Sequence, residues 1–313
     1  MKKVYDYTVV DGQYILTRNF HLVKSIETLT EGGLIKSFLL SMFKLVKEVP
    51  TRNLIVVWDK SPYHRQQILE DYKGDRVYST KEDLEREDLT EEEKKKIQQD
   101  IKEFELKTFV KYYLIKYSNK LGWNSLIIPG YEADDLAFIC ARELKGDICL
   151  ASTDSDWKYF ILENSDHYNL RGVTTTFQEI VDKESGDVDI FLHKSVIDSL
   201  YGSHNFLKNV STTAGTRKRK LKSEQIIKMM TENDYSFAAD KDLFIKQFST
   251  FDVKSFPDYD EVKDRINNLK PVDQSNCMTE SEFTQEAINF YTDLDYYYFY
   301  LYLENLKKNQ YGD

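Results

Sequence analysis

The chain is short of the features that mark secreted, thiolate-metal and membrane proteins. Its 313 residues include three cysteines, Cys140, Cys149 and Cys277, with no C-x-x-C spacing. That excludes a disulfide scaffold and a cysteine zinc centre. The five histidines are scattered, which argues against a histidine-rich metal site, and five prolines leave no proline-rich linker. There is no apolar run of the length a membrane helix needs, about 18 residues, and the opening Met1–Tyr7 is too polar and too short for a signal peptide. A cytoplasmic protein with no membrane partner is therefore expected. Positive charge is also scarce: 43 Lys and Arg stand against 53 Asp and Glu, a net charge of −10. Phosphate binding needs cations, so this balance counts against a polyanionic partner, but only on average over the surface. Acids gathered at a metal site add negative charge without repelling a polyanion once the metal is bound.

Short, unalternating apolar runs lie in the first half: Tyr7–Asp11, Leu54–Asp59, Ser125–Gly130 and Ile148–Ser152. Such runs suit parallel strands buried on both faces. Helical periodicity fills the gaps. Gly33–Val49 repeats apolar residues at Leu34, Ile35, Phe38, Leu39, Met42, Leu45 and Val46, and Glu132–Leu144 does so through Leu136, Ile139, Cys140 and Leu144. Strand alternating with helix predicts a parallel α/β sheet. Ser79–Lys120 is highly charged and reads as a helical insertion, with Thr90 as N-cap and Glu93 closing a capping box. From about Asp189 onward the pattern is helical with aromatic faces.

Ligands of open α/β sheets bind at the carboxyl ends of the strands. Asp11 and Asp59 end the first two runs. Gly130-Tyr131-Glu132-Ala133-Asp134-Asp135 follows the third, and Ser152-Thr153-Asp154-Ser155-Asp156 the fourth. Each acid alone is unremarkable: Asp is common after strands, and the macrodipole favours acids in a helix's first turn. Together, Asp11, Asp59, Glu132, Asp134, Asp135, Asp154 and Asp156 place seven carboxylates on one sheet edge. Like charges that close raise one another's pKa, and the natural compensator is a hard divalent cation, Mg²⁺ or Mn²⁺. A hydrolytic site of the two-metal type is the favoured reading. A phosphotransferase or phosphatase built on Asp154-Ser155-Asp156 is the rival, and there is no G-x-x-x-x-G-K-S/T loop to support it.

In their order along the chain, these blocks resemble the flap-endonuclease superfamily of 5′-nucleases, closest in look to the phage ribonuclease H type of 5′-3′ exonuclease. The resemblance rests on Asp11, Trp58-Asp59, Arg65, Tyr72-Lys73-Gly74-Asp75-Arg76, the Tyr131–Asp135 block and Thr153–Asp156, and covers residues 4 to 160. It implies a PIN-like parallel-sheet core at 1–185, a helical arch at about 79–120, and a helical duplex-binding region at 186–313. It implies Mg²⁺-dependent phosphodiester hydrolysis near the 5′ end of DNA flaps, nicks or RNA–DNA hybrids, in replication or repair, by a monomer working beside replication proteins. For a phage protein the compartment is the infected host's cytoplasm. All seven acids are implied as metal ligands, direct or through water, with Asp135 one shell out. Lys73 and Arg76 are implied as the cations on the scissile phosphate, and Arg65 and Tyr72 as nucleic-acid contacts.

The pattern departs from the family after the fourth strand. Ser203 and Lys208, within Tyr201–Val210, stand where two acids of the second metal site belong, and the basic run Arg217-Lys218-Arg219-Lys220-Leu221-Lys222 replaces a glycine-rich hairpin. One tight metal and one weak metal are expected. Arg217, Lys218, Arg219, Lys220 and Lys222 are expected on the duplex backbone, where they read no bases. The alternative is a family member that binds flaps or single strands with weakened catalysis.

Overall fold

The computed structural model describes residues 2–25, 29–68, 70, 79–86, 88–154, 157–158, 160–179, 253–289 and 293–311, with isolated positions between 228 and 245. Strand β1 (Tyr5–Asp11) leads into α1 (Gly12–Ser25) and α2 (Glu31–Glu48). Next come β2 (Thr51–Trp58), α3 (Tyr63–Ile68), α4 (Glu91–Lys116), β3 (Asn124–Ile127), α5 (Ala133–Glu143) and β4 (Ile148–Ala151). Two further strands follow, β5 (Ser165–Tyr168) and β6 (Thr174–Thr176), then the helices α6 (Tyr259–Asn267), α7 (Glu280–Asn289) and α8 (Tyr296–Tyr311). The expected α/β fold is thus present, and all four predicted strands and both predicted helices of the core form.

The sheet order is β3-β2-β1-β4-β5-β6. All pairs are parallel except β5 with β6. From β1 the chain first builds outward through β2 to β3, then crosses to the other side of β1 for β4. That reversal opens a crevice beyond the carboxyl ends of β1 and β4, where ligands of doubly wound sheets bind. Strand residues alternate between two cores. Val10, Leu54, Val56 and Trp58 face the first, with α1, α2, the end of α4 and α8. Val9, Ile55, Val57 and Leu150 face the second, with α5 and α6. Burial on both faces explains why the strands read as continuous apolar runs.

Helix α2 starts on Thr30, whose side chain accepts from Gly33 N, and α4 on the Thr90–Glu93 capping box. At about 1.5 Å per residue, the 26 residues of α4 reach about 39 Å. The charged insertion is not wholly solvated. Val110 and Leu114 are fully buried in the first core, Lys24 pairs with Glu103, and Lys107 lies 4.7 Å from the centre of the Phe20 ring. The expected division at 185/186 falls outside the described residues. Beyond it, Phe299, Tyr302 and Leu306 of α8 fill the first core, and Val262 and Ile266 of α6 the second.

Gly12 begins α1 against β2. A Cβ there would stand 2.5 Å from Val56 Cγ1 and 3.0 Å from the Trp58 ring, so only glycine lets α1 leave β1 at this angle. Gly12→Ala should cost about 1–3 kcal/mol, the range for overpacking a filled core. Urea denaturation checks this, and an unchanged midpoint would refute it.

Candidate active site: a carboxylate centre at the sheet's switch point

Four of the expected acids come together at the crevice. Asp11 is the last residue of β1, and Asp59 follows β2. Asp134 lies in the first turn of α5, after β3, and Asp154 follows β4. Each strand thus delivers one carboxylate to one edge. Asp11 is buried, 6% exposed. Its Oδ1 accepts from Tyr14 N at 2.8 Å and its Oδ2 from the Ser152 hydroxyl at 2.9 Å. The same hydroxyl accepts from Asp154 N at 3.1 Å, which joins the β1 and β4 acids. Asp59 Oδ1 accepts from Ala133 N at 2.8 Å, and Asp134 Oδ1 from Trp157 Nε1 at 2.7 Å.

Burial pushes the Asp11 carboxyl up to about 7, against the hydrogen bond from Tyr14, with Asp59 and Asp154 pushing the same way and Ser152 opposing. Asp134 is raised well above the ordinary carboxylate range, first by burial and then by Asp11, Asp59 and Asp154, with Trp157 opposing. Asp11 and Asp134 therefore both feel the charges of Asp59 and Asp154. Among the described residues, no three His, Cys, Asp or Glu side chains stand in ligating geometry, and Asp11, Asp59 and Asp134 spend oxygens on protein donors. Even so, the donor set is all carboxylate oxygen, and its repulsion is of the kind a hard divalent cation relieves. In that sense the residues fit such a metal.

Glu132 and Asp135 both meet Arg65. Arg65, in α3, is 2% exposed. Its Nη1 donates to Glu132 Oε2 at 3.0 Å and to Asp135 Oδ2 at 2.6 Å, and its Nη2 to Asp135 Oδ1. Asp135 Oδ2 also accepts from Glu132 N at 2.8 Å. Arg65 was expected on nucleic acid. The structure places its guanidinium instead against two carboxylates, with the Phe256 ring 5.6 Å away. It holds the acid loop to α3 by a bidentate charge-assisted bond. Asp135, which was expected one shell out from the metal, is fully buried and supports the loop through the same guanidinium. The backbone adds to the same join, with Lys60 N donating to Tyr131 O at 3.1 Å and Gly130 N to Ser61 O at 3.0 Å. Gly130 turns at φ +90, where a Cβ would meet the His64 ring at 2.2 Å.

The remaining expected residues lie outside the described ones: Asp156, Tyr72, Lys73, Arg76, Ser203, Lys208 and the run Arg217, Lys218, Arg219, Lys220, Lys222. Sequence reasoning missed several residues at the centre. Ser152 had a signal, standing two residues before Asp154 with a hydroxyl free to cap its amide. Trp157 had none beyond its size. Lys111 was one lysine among many in α4. Its Nζ donates to Asp59 O and, at 3.2 Å, to Gln13 Oε1. Burial pushes its ammonium below the ordinary lysine value, with Asp59 opposing and Lys60 adding to the fall.

A parallel-centred sheet covered by helices on both faces, with acids converging at its switch point, is the resolvase-like, PIN-like type of nuclease core. Residues 6–187 match the family model described as the 5′-3′ exonuclease N-terminal resolvase-like domain. That is more than half of the chain, and the chain belongs to this family, whose members hydrolyse phosphodiesters. A bacteriophage T5 protein co-crystallised with metal ions is similar over 85% of this chain and 97% of its own, at 16% identity and a TM-score of 0.53. The T5 flap endonuclease in a product complex with DNA and metal ions matches over 84% and 98%, at 18% identity and a TM-score of 0.48. Flap endonuclease-1 from Methanococcus jannaschii matches over 97% and 92%, at 15% identity and 0.45. The likeness at 0.53 is one of fold. No curated protein sequence matches the chain. Among the described residues no helix is long and apolar enough to cross a membrane.

Two outcomes follow from the electrostatics. Arg65→Ala leaves Asp135 buried and uncompensated, and should cost about 3–5 kcal/mol, read by denaturant titration; a loss under about 1 kcal/mol would show the pair to be dispensable. Asp11 has a folded pKa near 7 and an unfolded one near the ordinary Asp value. Its penalty is absent below about pH 4, grows as pH rises, and is complete above about pH 7. In EDTA, Asp11→Asn should therefore melt above the unsubstituted protein at pH 8 and level with it at pH 4. Equal melting temperatures at both pH values would remove the repulsion.

Proposed function

We propose that the chain is a Mg²⁺- or Mn²⁺-dependent 5′-nuclease that hydrolyses phosphodiesters near the 5′ end of DNA flaps, nicks or RNA–DNA hybrids, in replication or repair. The observation that carries this reading is the delivery of Asp11, Asp59, Asp134 and Asp154 from four strand ends to one crevice, with Asp11 and Asp134 held above the ordinary carboxylate range. A protein that only bound flaps would have no chemical need for such costly anions.

Asp11, Asp59, Asp134 and Asp154 would hold the metal, joined by Asp156, two residues beyond Asp154, and by Glu132, directly or through water. When bound, the metal supplies an activated water and stabilises charge on the attacked phosphate. The protein's own part is to fix the carboxylates. Tyr14 N, Ser152, Ala133 N and Trp157 each hold an oxygen or an adjoining amide in place, and the Arg65–Asp135 pair sets the loop from which Asp134 projects. Lys73 and Arg76 serve as cations on the scissile phosphate, and Tyr72 as a stacking surface for a frayed base. Arg217, Lys218, Arg219, Lys220 and Lys222 supply salt-sensitive contacts to the duplex backbone. With Ser203 and Lys208 in place of acids, one metal binds tightly and a second weakly.

The test is incubation with 5′-labelled flap and 5′-recessed duplex in Mg²⁺, Mn²⁺ or EDTA. Cleavage is expected with either metal and not in EDTA. Asp154→Ala should lower it by orders of magnitude while the fold, followed by circular dichroism, stays intact. Flap binding without cleavage in any metal would instead establish the binding-only alternative.

A further inference from the structure

The carboxyl-terminal end of α4 has no part in the reading above, yet it stands at the centre. Lys111 Nζ is bracketed by the segments that carry two of the acids. It donates to the carbonyl oxygen of Asp59 itself and to the side chain of Gln13, two residues after Asp11. The next residue, Tyr112, is tied to the same segment. Lys60 Nζ donates to its hydroxyl at 2.6 Å and lies 5.2 Å from the centre of its ring. Two consecutive residues of α4 thus grip the two residues that follow β2.

The Lys111 arrangement is unusual for a lysine that serves only structure. Such a lysine sits in water or pairs with a carboxylate. Lys111 is half-buried, and among the described residues its two hydrogen bonds both go to neutral acceptors. An ammonium has three N–H donors, so one is left over. Burying a cation costs free energy; the nearby Asp59 charge offsets this only in part, since burial is the larger effect, and an anion arriving beside Asp59 would offset the rest. On the nuclease reading, that anion is the phosphodiester to be cut.

We propose that Lys111 is a further catalytic residue, whose third N–H donates to a non-bridging oxygen of the phosphodiester held at the Asp11, Asp59, Asp134 and Asp154 centre. The Lys60–Tyr112 contact holds the helix end from which Lys111 reaches. This role is separate from those of Lys73 and Arg76, which lie before the insertion while Lys111 lies at its far end. It rests on the nuclease reading, since the anion it awaits is that reading's substrate. A donor that meets charge growing on the phosphate acts more on turnover than on binding.

The experiment compares Lys111→Met, which keeps the stem and removes the charge, with Lys111→Arg, which keeps the charge. Lys111→Gln serves if the Met variant does not fold. Four quantities are read: single-turnover cleavage of a 5′ flap in Mg²⁺, flap affinity in EDTA, Mn²⁺ affinity by calorimetry, and melting temperature. The neutral variants should lose about 10²-fold or more in rate, the scale of one removed electrostatic stabiliser. Flap affinity should fall less than about tenfold, Mn²⁺ affinity should not fall, and Lys111→Arg should recover part of the rate. An unchanged rate in the neutral variants overturns the inference. So does a loss of rate shared by Lys111→Arg and accompanied by a fall in melting temperature or Mn²⁺ affinity, because Lys111 would then be an anchor for the helix. If the unsubstituted protein cuts and the neutral variants cut equally well, only this inference fails; if the unsubstituted protein does not cut in any metal, the nuclease reading itself fails.

Discussion

Repulsion among carboxylates that one sheet edge forces together is the constraint around which the molecule is arranged. The topology makes the convergence unavoidable, because β1, β2, β3 and β4 all run in one direction and each ends in, or leads into, an acid. The surroundings then hold those acids in place. The Ser152 hydroxyl joins Asp11 to the Asp154 amide, the first turn of α5 holds Asp59 through Ala133 N, and Trp157 reaches back to Asp134. None of these donors carries a formal charge. They fix the acids without neutralising them. Where Arg65 meets Glu132 and Asp135, it is the fully buried Asp135 that is given over to structural work.

The arrangement separates two uses of one short sequence block. In Glu132-Ala133-Asp134-Asp135, alternate directions around a helix start send Asp134 toward the crevice and Asp135 into the protein. Fully buried ion pairs seldom stabilise more than an apolar replacement would. The better account of Arg65 is therefore geometric: a bidentate guanidinium fixes the rotation of the α5 start, and with it the direction in which Asp134 points.

The core was legible in the sequence wherever burial on two faces imposed it. β1, β2 and β4 could be read because strands covered on both sides must be apolar throughout, and α2 and α5 because each shows a 3.6-residue period. β5 could not. Its residues Ser165, Asp166, His167 and Tyr168 are polar yet buried. Asp166 is tolerated because it meets Lys3 and the Tyr5 hydroxyl, partners more than 160 positions away that no local pattern announces. The same limit governed the site. The acids showed themselves by their place after strands. Arg65, though its position was noted, gave no sign that its partners were carboxylates inside the protein, because burial depends on how α3 folds back over the acid loop. Lys111 was hidden for the opposite reason, as one charge in a helix crowded with them.

Helix α8 gives the order of assembly a particular form. Phe299, Tyr302 and Leu306 cover one face of the sheet, and Gln310 Nε2 donates to Arg52 O at 2.8 Å across 258 positions. During synthesis, β1 and β2 leave the ribosome long before the helix that completes their cover. Contacts of such separation close late and slowly. Until they do, the apolar face that backs β2 stays open to water, and the strand that presents Asp59 is not fully supported. The nascent chain would thus gain a finished carboxylate centre only after α8 had been made, so that a fragment ending before it holds every acid of the centre but not the packing that aims them.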